Sequence, residues 1–286
     1  MTTQTAYKSD KAKKKALEFY EEALMQWPVP YESQVVETTF GETYLIVSGA
    51  QEAKSLVLLH GGGGNSTMFM DNVAALSKHF RIYAIDIIGE AGKSAGTRPT
   101  EITDYSIWLK EVFDALSISK TALCGASLGG ALAHQFASTF SQYVDSLILL
   151  APPSLLKMRI PFIFRGLFAN LLPTTLFARK FLNYISARSN EFSEQFIQGF
   201  VTQVQAYKLN TTQIPIITDE GLANLPARTL LLLGKDEVLY DTEKVASRIR
   251  SAAPFVTISI IEKAKHMISI DQPDLVNKKI IEFIEN

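Results

Sequence analysis

Ser127 stands between Gly125 and Gly129, directly after an apolar run and directly before a helical pattern over 130–140. A serine on a sharp strand-to-helix turn lifts its hydroxyl clear of the backbone, and small flanking residues let strand and helix approach without a clash. The start of a helix also favours negative charge developing beside it. The spacing marks a candidate nucleophile elbow; a tight turn that merely permits helix-on-sheet packing fits the same letters. A second stretch is His60 followed by Gly61, Gly62, Gly63 and Gly64. Consecutive glycines expose backbone N–H groups and admit a ligand closely, which suits an anion cradle or an oxyanion hole, with a flexible turn as the plain alternative.

Two later loops carry further titratable groups. One follows the apolar run ending at Leu233 and offers Asp236 and Glu237; the other follows Ile261 and contains His266. Both loops, like Ser127, stand at C-terminal ends of predicted strands, where open α/β sheets place their sites. A histidine there is also compatible with a surface or capping role. His79, near a helix end, and His134, within the helix after Ser127, read as structural. The segment from Gly89 to Ser94 imitates a phosphate-binding loop, but two residues separate Gly89 from Gly92 where that pattern needs four. Gly96 and Pro99 then stand where the phosphate-holding helix would have to begin. A turn after a strand accounts for these glycines.

The elements that would position these residues alternate. An amphipathic helix is predicted over 10–27, ending before Pro28 and Pro30. A hairpin over 33–40 and 43–48 turns at Gly41 and Glu42, and 55–59 is a continuous apolar strand. A helix starts at Ser66 or Thr67, and 81–88 is a buried strand. A helix over 103–116 is capped by Thr103 or Asp104, and strands over 121–125 and 144–150 follow. Alternation of strands with helices implies a parallel sheet. From 153 to 226 the alternation breaks into helical, aromatic-rich segments interleaved with Arg165, Arg179, Lys180 and Arg188. Such a segment suits a membrane or partner surface, or an insertion folded over the sheet with its aromatics facing a pocket. The return of the rhythm at 228–233, 241–251, 255–261 and 273–284 favours the insertion.

Composition bounds the function. The chain has 286 residues, 47% hydrophobic and 20% charged, with 28 basic and 29 acidic side chains and a net charge of -1. That is ordinary globular content with a large core and no nucleic-acid footprint. The single cysteine, Cys124, excludes an intrachain disulfide and a zinc–thiolate cluster, and its place on a buried strand makes it a small core hydrophobe. The first residues run into the charged segment at Lys11 to Lys15 without an apolar leader, and no apolar run reaches the ~20 residues that cross a bilayer. The expectation is a cytoplasmic protein, not integral to a membrane, that acts on a small and roughly neutral molecule.

Residues 33 to 286 resemble the α/β-hydrolase family, and within it a bacterial carboxylesterase-like branch. The resemblance rests on the elbow at Ser127, the strand order, the insertion, and the chain order Ser127, acid, His266. It implies a mostly parallel, eight-stranded sheet flanked by helices, with a core over 31–152 and 227–286, a helical cap over 153–226, and an N-terminal helical arm over 1–30. It also implies that Ser127 is the nucleophile and His266 the base, with the amides of Gly62 and Leu128 as oxyanion donors. For the acid, the family's usual spacing after the strand-closing glycine selects Glu237, while Asp236 has the commoner residue type. The implied activity is hydrolysis of a small to medium carboxylic ester through an acyl-enzyme, with no metal or cofactor. Serine at 127 argues against the dehalogenase and epoxide hydrolase branches, which use aspartate there. Thioesterases, C–C bond hydrolases, cofactor-free haloperoxidases and a low-turnover ligand-binding protein share the framework.

Overall fold

A computed structural model of the chain describes residues 5–286. The start of the expected N-terminal arm, residues 1–4, lies outside the described residues. The elements in chain order are α1 (Asp10–Leu24), β1 (Tyr31–Val36), β2 (Thr43–Ser48), β3 (Lys54–Leu59), α2 (Met70–Leu76), β4 (Phe80–Ile85), α3 (Ile102–Ala115), β5 (Thr121–Ala126), α4 (Leu128–Thr139) and β6 (Val144–Leu150). Then come α5 (Ile160–Leu171), α6 (Thr175–Ile185), α7 (Glu194–Ala206), α8 (Asp219–Ala223), β7 (Thr229–Gly234), α9 (Thr242–Ala252), β8 (Thr257–Ile261), α10 (Ile268–Asp271) and α11 (Pro273–Glu285).

The strands form one eight-stranded sheet in the order β1-β2-β4-β3-β5-β6-β7-β8. β2 runs antiparallel to both β1 and β4, and all other pairs are parallel. All six positions of β5 are buried, as expected of a central strand covered by helices on both faces. Successive side chains of a strand point to opposite faces. Val57, Leu59 and Leu123 therefore join Trp108, Phe113 and Phe136 of α3 and α4 on one side. Leu56, Leu58 and Cys124 join Val73 of α2 and Val276 and Ile280 of α11 on the other. Cys124 is a fully buried core residue, and burial pushes its thiol up, away from reactivity.

Several boundaries differ from the sequence reading. Helix α1 stops at Leu24 instead of 27; the N–H groups of Gln26 and Trp27 bond to Ala23 O and Leu24 O in a tighter turn. Trp27, which precedes Pro28 and is disfavoured from helical backbone, tucks into the core and donates to Ser48 Oγ at 3.1 Å. Strand β4 ends at Ile85 instead of 88, because the Ile87 N–H turns to His60 Nε2 (2.9 Å). Asp86 meanwhile accepts from Ser66 N and Lys93 N (2.9 and 2.7 Å). Helix α3 is capped at Glu101 rather than Thr103 or Asp104: Asp104 is the third helical residue, reaching back to the Glu101 N–H at 3.2 Å.

Candidate active site

The β5–α4 junction is closely packed. Ser127 has φ 50° and ψ −115°, a positive φ that a non-glycine residue adopts only when its surroundings impose it. The surroundings are severe. A Cβ at Gly125 would lie 2.1 Å from Gly129 O, and one at Gly129 would lie 2.2 Å from Leu59 O. Both positions must be glycine for helix α4 to sit against β5 and β3. The Ser127 N–H is anchored to Leu150 O (2.8 Å) and the Gly129 N–H to His60 O (3.1 Å), so the elbow is tied to both neighbouring strands.

His266 reaches the elbow from the loop after β8. Its Nε2 lies 2.9 Å from Ser127 Oγ, and its Nδ1 lies 3.1 Å from each carboxylate oxygen of Glu237. A carboxylate can only accept, so the Nδ1 proton points to Glu237 and Nε2 is left to accept the serine proton. Gly234 permits this approach, since a Cβ there would lie 2.3 Å from Lys265 O. Glu237 is fully buried and also accepts from the N–H groups of Val238 and Leu239, each at 2.8 Å. Burial alone would raise the Glu237 carboxyl, but the His266 charge and these hydrogen bonds outweigh it and hold it below the usual range. Burial would likewise depress the His266 imidazolium. The charge and hydrogen bond of Glu237, with the charge of Asp271, prevail and raise it above its ordinary value. Asp236, the alternative acid, is exposed and makes no contact with His266; its backbone N–H bonds to Ala264 O.

The glycine run packs on the elbow. A Cβ at Gly61 would touch Ser127 Cβ at 3.5 Å, and one at Gly62 would touch Leu128 at 3.4 Å. Among the described residues, neither the Gly62 nor the Leu128 N–H donates to a protein acceptor. These two free amides beside Ser127 are suited to an oxygen that acquires negative charge. Among the described residues, no group of acids, histidines and cysteine is arranged to hold a metal ion.

Three supporting residues escaped the sequence reading. Glu90, buried in the loop that imitates a phosphate site, accepts from the Gly63 N–H and from Asn210 Nδ2, each at 2.6 Å. Gln203 of α7 donates to Gly63 O. Asp271 accepts from Ser186 Oγ (2.5 Å) and Ala187 N (3.0 Å) through one oxygen and from Lys265 N (2.8 Å) through the other, tying the His266 loop to the end of α6. Each bridges parts of the chain far apart in sequence, so no local spacing announces it. His60 is structural: its Nε2 accepts from Ile87 N, leaving the Nδ1 proton for Gly61 O at 2.8 Å. His79 bonds Glu285 (2.7 Å), and His134, in α4 and pushed down to about 4 by burial, lies beside Ser138 Oγ at 3.3 Å.

Between β6 and β7, α5 to α7 bring aromatics toward the site. The Phe162 ring meets the His266 ring edge-on at 5.6 Å. Phe162 also packs with Phe181, Phe200 and Leu182, in a cluster that includes Val238 and Met267, the neighbours of Glu237 and His266.

Comparison with known proteins bears on the fold and the family. A family model described as the α/β-hydrolase fold matches residues 54–174. Carboxylesterase YbfK of Bacillus subtilis (strain 168) is 31% identical over 273 residues, covering 93% of this chain and 92% of that protein. The uncharacterized carboxylesterase nap of the same organism is 35% identical over 278 residues, covering 92% and 90%. The crystal structure of naproxen esterase (carboxylesterase NP) from Bacillus subtilis superposes with a TM-score of 0.88 at 34% identity, covering 96% of this chain and 99% of that one. With its sheet order, its elbow and these full-length relatives, the chain belongs to the α/β-hydrolase family.

Proposed function

We propose that the protein is a carboxylesterase in which Ser127 is the nucleophile, His266 the general base and acid, Glu237 the orienting carboxylate, and the Gly62 and Leu128 amides the oxyanion donors. The observation that carries this reading is the continuous hydrogen-bonded line from Ser127 Oγ through His266 to Glu237, on a strained elbow beside two free amides. In the first half-reaction Ser127 Oγ bonds to the ester carbonyl carbon while its proton passes to His266 Nε2. The carbonyl oxygen becomes an oxyanion held by the two amides. The C–O bond to the alcohol then breaks, and His266 returns the proton to the leaving oxygen. Water enters next, gives a proton to His266 and its oxygen to the acyl carbon; collapse releases the acid and restores the Ser127 hydroxyl.

The raised His266 group fits this role, because the Glu237 charge that raises it also stabilises the imidazolium formed during attack. The segment over 153–226 serves as the cap, and its phenylalanines beside His266 favour an apolar, aryl-tolerant acyl or alcohol group. The curated relatives' names as carboxylesterases and the naproxen esterase structure support the same substrate class. The test is turnover of a short-to-long series of p-nitrophenyl esters by wild type and by Ser127→Ala. Hydrolysis of short or medium esters by wild type, lost in the variant, is the expected result. Equal behaviour of the two proteins overturns the reading.

A further inference from the structure

Helix α5 carries its apolar face outward. Ile160, Ile163, Phe164, Leu167, Phe168 and Leu171 follow the alternating three- and one-residue spacing of one helical stripe, and all are between 41% and 68% exposed. The opposite side of the helix holds Phe162 against His266, Gly166 near the Phe181 ring, and the buried Ala169. The inward face is therefore narrow, and most of the apolar surface of α5 faces solvent. Leu172 and Leu176 continue the patch toward α6. A contiguous exposed apolar surface of this kind marks a place where something docks.

Charge says what kind of surface that is. Between Asp145 and Glu191 the chain has no acidic residue and six basic ones, Lys157, Arg159, Arg165, Arg179, Lys180 and Arg188, in a protein of net charge -1. Arg159, Arg179 and Arg188 pair with Asp241, Glu194 and Glu191. Lys157, Arg165 and Lys180 have no acidic partner among the described residues; Arg165 instead lies 4.1 Å over the Tyr184 ring. A second copy of the chain is a poor occupant, because a two-fold interface would set the patch and its basic rim against themselves. An anionic bilayer supplies both needed partners, acyl chains for the stripe and headgroups for the rim.

We infer that α5 is a peripheral membrane-docking helix that lies in the interface of an anionic lipid bilayer, with Phe164, Phe168 and Leu171 among the acyl chains and Lys157, Arg165 and Lys180 at the headgroups. The helix has 12 residues, too short to span the bilayer, and no helix of the described residues is long and apolar enough to cross one. Because its other face carries Phe162 against His266, docking sets the active site next to the phase in which apolar esters accumulate. The attachment itself does not depend on turnover, so it can fail without the esterase reading failing, and the reverse.

The test is co-sedimentation of the full chain with sucrose-loaded vesicles of phosphatidylglycerol and phosphatidylcholine, and with phosphatidylcholine alone, over a salt series. Two variants accompany it: Phe164→Ser/Phe168→Ser/Leu171→Ser and Lys157→Gln/Arg165→Gln/Lys180→Gln. The wild type is expected to bind the anionic vesicles at least ~10-fold more tightly than the neutral ones, less so as salt rises. Each variant is expected to lose ~10-fold or more of that binding while hydrolysing a water-soluble p-nitrophenyl ester as wild type does. No binding to anionic vesicles at low salt overturns the inference. So does binding that neither variant weakens, or a solution dimer that the serine variant converts to monomers without changing vesicle binding.

Discussion

The buried Glu237 carboxylate holds His266 in one tautomer and raises its imidazolium, so the rate should rise with pH along a limb lying above the ordinary histidine range. Glu237→Gln removes the anion. The imidazolium then loses its main stabiliser, so the limb should move to lower pH while kcat at the plateau falls on the order of 10⁴-fold. Asp236→Asn should change neither, since that side chain is exposed and does not touch the histidine. A pH–rate profile of the two variants checks both statements. Glu90 makes a subtler case. Its carboxylate accepts one hydrogen bond from the Gly63 N–H and another from Asn210 Nδ2, and Asn210 is held in that orientation by Thr212 N donating to its Oδ1 at 2.9 Å. A glutamine at 90 must turn an N–H against one of those donors. Glu90→Gln should therefore displace the glycine run and lower kcat by about 10- to 10²-fold with little change in KM, less than the ~10²–10³ for losing an oxyanion donor outright. Steady-state kinetics on a soluble ester resolve the split.

The elbow depends on three elements meeting with no side chain between them. Gly129→Ala places a Cβ 2.2 Å from Leu59 O and 2.6 Å from His60 O, both backbone atoms of a central strand end that cannot yield. The substitution should destabilise the protein by about 3 kcal/mol or more, or prevent folding, with a lowered denaturation midpoint as the readout. An unchanged midpoint would mean that α4 does not pack as described. The glycine–serine–glycine spacing is readable from sequence because its five residues sit together on a strand-to-helix switch, although the Leu59, His60 and Leu150 backbone that imposes it comes from elsewhere in the chain. The spacing that selects Glu237 over Asp236 was readable only through the family pattern; its physical reason, the turn that directs Glu237 inward to the Val238 and Leu239 amides, needs the fold. Strand β4 was read too long because Ile87 and Ile88 are as apolar and buried as the strand itself, and only the His60 contact diverts the chain. Glu90, Gln203 and Asp271 leave no pattern, since Gly63, Asn210 and Ser186, the groups they meet, come from distant parts of the chain.

Across the whole molecule, the insertion and the core share one working surface. Asp271 ties the His266 loop to the end of α6, Gln203 ties α7 to the glycine run, and Phe162 closes over the His266 ring. The insertion thus contacts both the His266 loop and the glycine run. Phe162→Ala should open space beside His266 and shift preference toward bulkier acyl groups, raising the long-to-short ratio of kcat/KM by about 10-fold, the lower end of what one methylene is worth in an apolar site. The ester series used for wild type measures that ratio directly. The same insertion gives the chain its basic, outward-facing apolar side, so the helix that sets Phe162 against His266 is also the one proposed to meet a lipid surface.

An activated Ser127 should react with diisopropyl fluorophosphate, which intact-mass and peptide mass spectrometry would detect. One phosphoryl adduct per chain is expected, on the peptide containing Ser127, with ester turnover lost in step with labelling and no adduct on Ser127→Ala. An adduct on another residue, or full activity in the fully labelled protein, would contradict Ser127 as the nucleophile.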